Sequence, residues 1–323
     1  MMFSVFKKIK IFNNSDTKSS VKNNFVQNNI KCTNSDVIVS YKIDKNDQLR
    51  LHRLFKPDPD SKFDPKLWEE ERTNRNKHQQ YYNFFAELIP REYRKGIQYV
   101  RIFDRGDSSE LARMGPKNWN NLKIFELEMA FNLFDIKFCY FREILDYPRI
   151  VFTMLHEFGH YLTMNQDQRY CVRGGPFYKD ESIIKQINLL YYAHDESYGL
   201  LDPERNQEDI AEGYETNYQR IQELLSKRKG ELLQNGVFVR RYSTKSVEED
   251  AADTFAYFVL LDERPEPGIS LLGDKVLLFC QYPKMAKIRK AIRDNLKKLG
   301  VGPNMPQDEL EALRIKLQTP NAN

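Results

Sequence analysis

The stretch Val151–Thr163, VFTMLHEFGHYLT, sets His156, Glu157 and His160 inside an otherwise apolar run. Ile150, Val151, Met154, Leu155, Phe158 and Leu162 recur at helical spacing and supply buried faces. Residues four apart on a helix lie on one face, so His156 and His160 present their imidazole nitrogens to one point. Glu157 lies roughly 100° further round, beside that point and not on it. There it can take a proton from water that a metal has polarised and pass it to a leaving amine. Gly159 is unfavourable in a helix interior by ~1 kcal/mol against Ala. Close approach of another backbone would account for it.

The plain alternative is a core helix that acquired two histidines by chance. The chain has only five histidines, His52, His78, His156, His160 and His194, so two of them flanking a glutamate at ligand spacing favours a metal. Zinc suits the imidazole pair, and catalytic zinc takes three protein ligands with one position left open. A third histidine six residues past His160 is absent, because that position is Gln166. Two later stretches share one pattern, Glu208-Asp209-Ile210-Ala211-Glu212 and Glu249-Asp250-Ala251-Ala252-Asp253. Each sets carboxylates four apart, so one can ligate while the other orients a histidine from behind. The apolar TFAYFVLL that follows favours Glu249, since a ligand needs a rigid, buried mount. Glu208 heads a polar, solvated stretch and stands as the rival. His194, in AHDESYG, reads as a loop residue and ranks last.

Composition narrows the function classes. With 323 residues, 41% hydrophobic, the chain can form one large domain or two modest ones. A net charge of +4, with no basic block interleaved with aromatics, gives no nucleic-acid signature. Cys32, Cys139, Cys171 and Cys280 are scattered singly, which excludes zinc ribbons and reads as reduced thiols in a cytosolic protein. Lys7, Lys8 and Lys10 interrupt the apolar N-terminus, so no secretory signal is read, although export by a specialised system stays open. No run approaches the ~18 apolar residues of a membrane span. Oligomeric state is not legible.

Residues 1–45, rich in Asn, Lys and Ser, are expected to be a flexible leader. Asp64-Pro65 begins a long helix ending near Pro90. Ile97–Phe103, NLKIFELEM (121–129) and DIKFCYF (135–141) read as strands, with turns at DRGDSS (104–109) and RMGPKNW (113–119). Helices are expected at Asp180–Ala193, from Pro203 to about Gln234, at EEDAADTFAYFVLLDE (248–263) and at the basic, amphipathic 283–299. NGVFVRRYS (235–243) reads as a turn and short strand, and 301–323 as a tail. The face of charges on 283–299 reads as solvated. Strands and helices without regular alternation indicate an α+β fold.

HEFGH (156–160) together with YSTKSVEEDAADTF (242–255) resembles the anthrax lethal factor-like catalytic domain of the gluzincin metalloproteases. The likeness spans roughly residues 95–300, sharpest over the two motif helices, and YPKMAKIRKAIRDNLKKL (282–299) is similar to the closing helix of such domains. It implies a zincin-like fold, with a small mixed sheet whose edge strand lies beside the HExxH helix. It also implies a zinc endopeptidase acting on a protein or peptide, as bacterial toxins or effectors do. His156, His160 and Glu249 would be ligands, with Glu157 as proton shuttle and Asp253 matching the acidic residue four positions on. Tyr242, seven residues before Glu249, would stabilise the oxyanion. One departure is that Glu249 lies 89 positions after His160, which implies a helical insertion at about 171–240 within a 46–300 domain. Phe177, Tyr191 and Tyr192 of the insertion are packing residues or specificity residues. The substrate would lie along NLKIFELEM or DIKFCYF by strand addition. Two other classes fit the motif: a binding module that kept the fold, and a zinc hydrolase of a non-peptide bond.

Overall fold

Alternating β-branched and aromatic residues build a five-stranded mixed sheet, in the order β2-β1-β3-β5-β4. Its strands are β1 Val37–Ile43, β2 Leu49–Leu54, β3 Ile97–Phe103, β4 Ala112–Asn118 and β5 Asn121–Ala130. The computed structural model describes residues 36–57, 63–106, 110–134, 145–172, 175–192, 236–306 and 308–309. The chain divides into Met1–Thr33 and Asn34–Asn323, and every described residue belongs to the second unit. β3 and β5 run parallel, and the other neighbours are antiparallel. Val100 and Ile102 pair with Leu127 and Met129 on the buried face, while Arg101 pairs with Glu128 on the other. The expectation of a leader through residue 45 is corrected here: VIVSYKI is β1, an alternating run hidden among polar neighbours.

A second correction concerns the sheet edge. RMGPKNW is not a turn but most of β4, which pairs with β5 and packs against the HEFGH helix. Ala130 N–H donates to Leu111 O at 2.9 Å, which fixes the hydrogen-bond parity. Leu111, Arg113 and Gly115 therefore turn their backbone groups to β5, and Ala112, Met114 and Pro116 turn theirs outward. Pro116 lacks an N–H where the ladder does not need one, as proline on an edge strand must. NLKIFELEM is interior, flanked by β3 and β4, so it offers no free edge. DIKFCYF lies outside the described residues.

Among the described residues seven α-helices accompany the sheet: α1 Pro65–Thr73, α2 Arg75–Leu88, α3 Arg149–Met164, α4 Ile183–Tyr192, α5 Val247–Leu260, α6 Leu271–Cys280 and α7 Pro283–Leu299. The single helix expected from Pro65 to Pro90 is two, because the Asn74 side chain accepts from Lys77 N–H and its own N–H returns to Glu71 O. Residues 236–240 form no strand; a 3-10 turn follows at Arg241–Lys245. A two-stranded hairpin, β6 Arg169–Val172 with β7 Gly175–Tyr178, and helix α6 have no counterpart among the sequence expectations. The helix expected at 203–234 lies outside the described residues. α7 is not only a solvated face: Arg289 donates to Phe258 O at 2.7 Å, and Arg293 to Val259 O and Leu261 O at 3.2 and 3.0 Å. Two guanidinium groups thus satisfy carbonyls that the end of α5 leaves open. Among the described residues no helix is long and apolar enough to cross a membrane.

Helices α3 and α5 meet backbone to backbone. A Cβ added at Gly159 would stand 2.8 Å from Ala252 Cα and 2.9 Å from Ala252 O, so the glycine marks their contact. The sequence expectation of a close backbone approach holds, and Ala252 is the partner. Gly159→Ala should therefore destabilise the fold by about 1–3 kcal/mol through overpacking, against the ~1 kcal/mol that helix propensity alone would gain. Thermal unfolding reads this directly, and a rise in melting temperature would contradict the contact.

Candidate metal centre

His156 and His160 project from one face of α3, both almost fully buried, with ring centroids 4.6 Å apart. Facing them is the first turn of α5. Ser246 caps that helix by accepting from Glu249 N–H at 3.3 Å, and the acidic residues Glu248, Glu249 and Asp250 occupy its positive N-terminal end. Glu249 Oε2 lies 3.1 Å from His156 Nε2 and 3.3 Å from His160 Nε2. Asp253, one turn on, takes the other ring nitrogen of His156: Nδ1 stands 2.6 Å from Oδ1.

The donor set fits a metal. A proton on Nδ1, donated to Asp253, leaves the Nε2 lone pair of His156 aimed at the Glu249 carboxylate. Glu249 Oε2 is buried and, among the described residues, has no hydrogen-bond partner beyond these two close imidazole contacts. Three lone-pair donors thus converge where only a cation can satisfy all three at once. Ligands ~2.0–2.1 Å from a tetrahedral ion stand about 3.3 Å apart, close to the spacing observed. Among the described residues His156, His160 and Glu249 form the one group of at least three such donors placed to share an ion. His160 Nδ1 is buried with no hydrogen-bond partner among the described residues, which offer this ring no anchor like that of His156.

The electrostatics follow from crowding and burial. Before any metal binds, burial lowers the His156 pKa, but Asp253, Glu249 and Glu157 outweigh it and raise the ring to about 10, so a metal would take the place of the Nε2 proton. Burial raises the carboxyl of Glu249, and the two imidazoles reverse this, holding it well below the usual carboxylate range. Glu157 is raised to about 7 by burial, against the lowering influence of His156 and His160. Its Oε2 is buried without a hydrogen-bond partner among the described residues. Tyr242 sits edge-on to His156, ring centroids 5.9 Å apart. Burial, with Glu249 and Glu157 next, holds its phenol well above the ordinary value, so it is a donor at neutral pH.

Each carboxylate in the first two turns of α5 has its own partner. Glu248 accepts from Arg169 of β6 at 2.5 Å and from Tyr178 of β7 at 2.8 Å. Glu249 faces the histidines. Asp250 is paired with Lys275 of α6 at 2.6 Å. Asp253 also receives Arg240 Nε at 2.9–3.0 Å and the Ser243 hydroxyl at 2.7 Å. The structure brings Glu249, expected as the third ligand, beside both histidines and sets Asp253, expected behind one of them, against His156; these are the residues of α5 named by the sequence expectations. They missed Arg169, Arg240, Ser243 and Lys275. Arg240 and Ser243 flank Tyr242 in the chain, and that adjacency was the only available signal.

The other histidines of the described residues are elsewhere. His52 lies against Tyr99 with centroids 5.1 Å apart, and buried His78 bonds the Tyr41 hydroxyl at 2.8 Å. Glu208, Glu212 and His194 lie outside the described residues. Of the insertion's aromatics, Phe177 is partly exposed and stacks on Tyr170, centroids 5.8 Å apart. Comparison with known proteins finds no matching family model, curated protein or solved structure.

Proposed function

We propose that the chain is a zinc-dependent endopeptidase with a zincin-like fold, in which His156, His160 and Glu249 hold the metal. The observation that carries this reading is the buried Glu249 Oε2 standing 3.1 and 3.3 Å from two imidazole nitrogens, with Glu157 Oε2 on the histidines' own helix buried and without a hydrogen-bond partner among the described residues. A purely structural site would have no use for a buried acid with an unsatisfied oxygen beside its ligands. Zinc, when bound, supplies Lewis acidity and brings the pKa of water down towards ~7. Glu157 accepts the proton from the attacking water and returns it to the leaving amine. Tyr242 donates to the developing oxyanion. Asp253 keeps His156 in the tautomer that turns Nε2 to the metal.

Substrate would enter as an added strand on β4. That strand packs against α3 and turns the backbone groups of Ala112 and Met114 outward, which suits an extended peptide running beside the metal ligands. The reading is tested by incubating the purified chain with a peptide library, with chelator and after zinc readdition. Internal peptide-bond cleavage that chelation removes and zinc restores is the expected result. Cleavage insensitive to chelation, or hydrolysis of non-peptide esters or amides alone, would overturn it.

A further inference from the structure

We infer that Arg240 is a positioning residue that, through Asp253, fixes both the ring of His156 and the turn carrying Tyr242; the inference rests on the reading of the site given above. Asp253 is fully buried, and both of its oxygens are engaged. Oδ1 meets His156 Nδ1 at 2.6 Å, Arg240 Nε at 3.0 Å and Arg240 Nη2 at 2.9 Å. Oδ2 meets Arg240 Nε at 2.9 Å and the Ser243 hydroxyl at 2.7 Å. The Ser243 oxygen in turn accepts from Arg240 N–H at 3.2 Å. The guanidinium therefore closes a loop joining α3, α5 and the 3-10 turn.

The same guanidinium reaches two rings. It lies 4.7 Å from the centroid of Phe152 and 5.0 Å from that of Tyr242. Phe152 is one helical turn before His156 and stacks on it, with centroids 6.4 Å apart. Lys245 Nζ lies over the Tyr242 ring at 3.9 Å. A histidine that serves a metal as neutral ligand leaves Asp253 a buried negative charge, and Arg240 is its counter-ion. A lysine in its place could pair with Asp253 but could not span both oxygens and lie flat against the rings. Among the described residues Arg240 meets the site through Asp253 and the rings of Phe152 and Tyr242, and it makes no contact with a ligand nitrogen.

The test has one arm that needs neither metal nor substrate. In the metal-free full-length chain, with its histidines isotope-labelled for NMR, the His156 Nδ1–H proton should be an exchange-protected, low-field signal. Asp253→Asn should remove it. Arg240→Met should speed its exchange roughly tenfold or more, the effect of losing a charge-assisted contact, and Arg240→Lys should fall between. The second arm is a double-mutant cycle on peptide hydrolysis. Tyr242→Phe should lower kcat about 10²-fold or more. Arg240→Met should lower kcat about 10–100-fold with KM little changed, and the double mutant should lose clearly less than the product of the two single losses. Wild-type exchange in a folded Arg240→Met chain, or losses that multiply, would overturn the inference. Should Arg240→Met not fold, Arg240→Lys decides by the same two outcomes. If the wild-type chain cleaves no peptide, the peptidase reading falls, while the exchange arm still decides the role of Arg240.

Discussion

Glu157→Gln should lower peptide hydrolysis by about 10²–10⁴-fold, the range that a general acid–base contributes, while the metal stays bound. The amide matches the carboxylate in shape but cannot take a proton at neutral pH. Glu157 is 4% exposed and its Oε2 has no hydrogen-bond partner among the described residues, so the substitution removes none of the bonds described for that oxygen. Melting temperature and zinc content should therefore equal those of the wild type. Glu249→Ala separates the roles the other way: it should lose zinc by elemental analysis, whereas Glu208→Ala should keep it. A Glu157→Gln chain as active as wild type would end the protease reading. Zinc retained in Glu249→Ala and lost in Glu208→Ala would end the ligand assignment.

Lys275→Ala should destabilise the chain by about 3–5 kcal/mol, the cost of stranding one half of a buried ion pair. Both side chains of the Lys275–Asp250 pair are fully buried, with Nζ 2.6 Å from Asp250 Oδ2 and 3.0 Å from Val237 O. Nζ also lies 4.3 Å from the ring centroid of Phe238. Burial raises the Asp250 carboxyl to about 6 even with the lysine beside it, so Asp250 should become protonated once Nζ is gone. The double substitution Lys275→Met with Asp250→Leu should recover much of the loss, because an apolar pair of similar volume carries no desolvation cost. Denaturant unfolding measures both. A single-mutant loss under about 1 kcal/mol would show that the pair does not hold α6 to α5. Asp250 adjoins Glu249 and Val237 precedes the Tyr242 turn, so metal affinity should fall with stability.

Legibility in the sequence followed the range of the interaction. HEFGH and EEDAAD could be read because residues four apart on a helix share a face whatever surrounds them. Gly159 announced a close approach, but not that Ala252 would be the residue approached. β4 was misread because Gly115 and Pro116 are turn residues by local preference, and only an edge position makes them acceptable. β1 was missed because a polar segment leads into it. α6 carries no polar rhythm to betray it, and the role of Lys275 there depends on Asp250, 25 positions earlier.

What the sequence by itself determined is the set of donor groups and the helix faces that carry them: two imidazoles and a glutamate on α3, and the carboxylates of α5. The tertiary structure decided their separation and which atom meets which. Helix geometry sets positions within about two turns, whereas Glu249 lies 89 positions from His160. Their 3.3 Å contact exists because Gly159 lets α5 approach α3 at Ala252, and because α6, the β6–β7 hairpin and Arg240 hold α5 in that place.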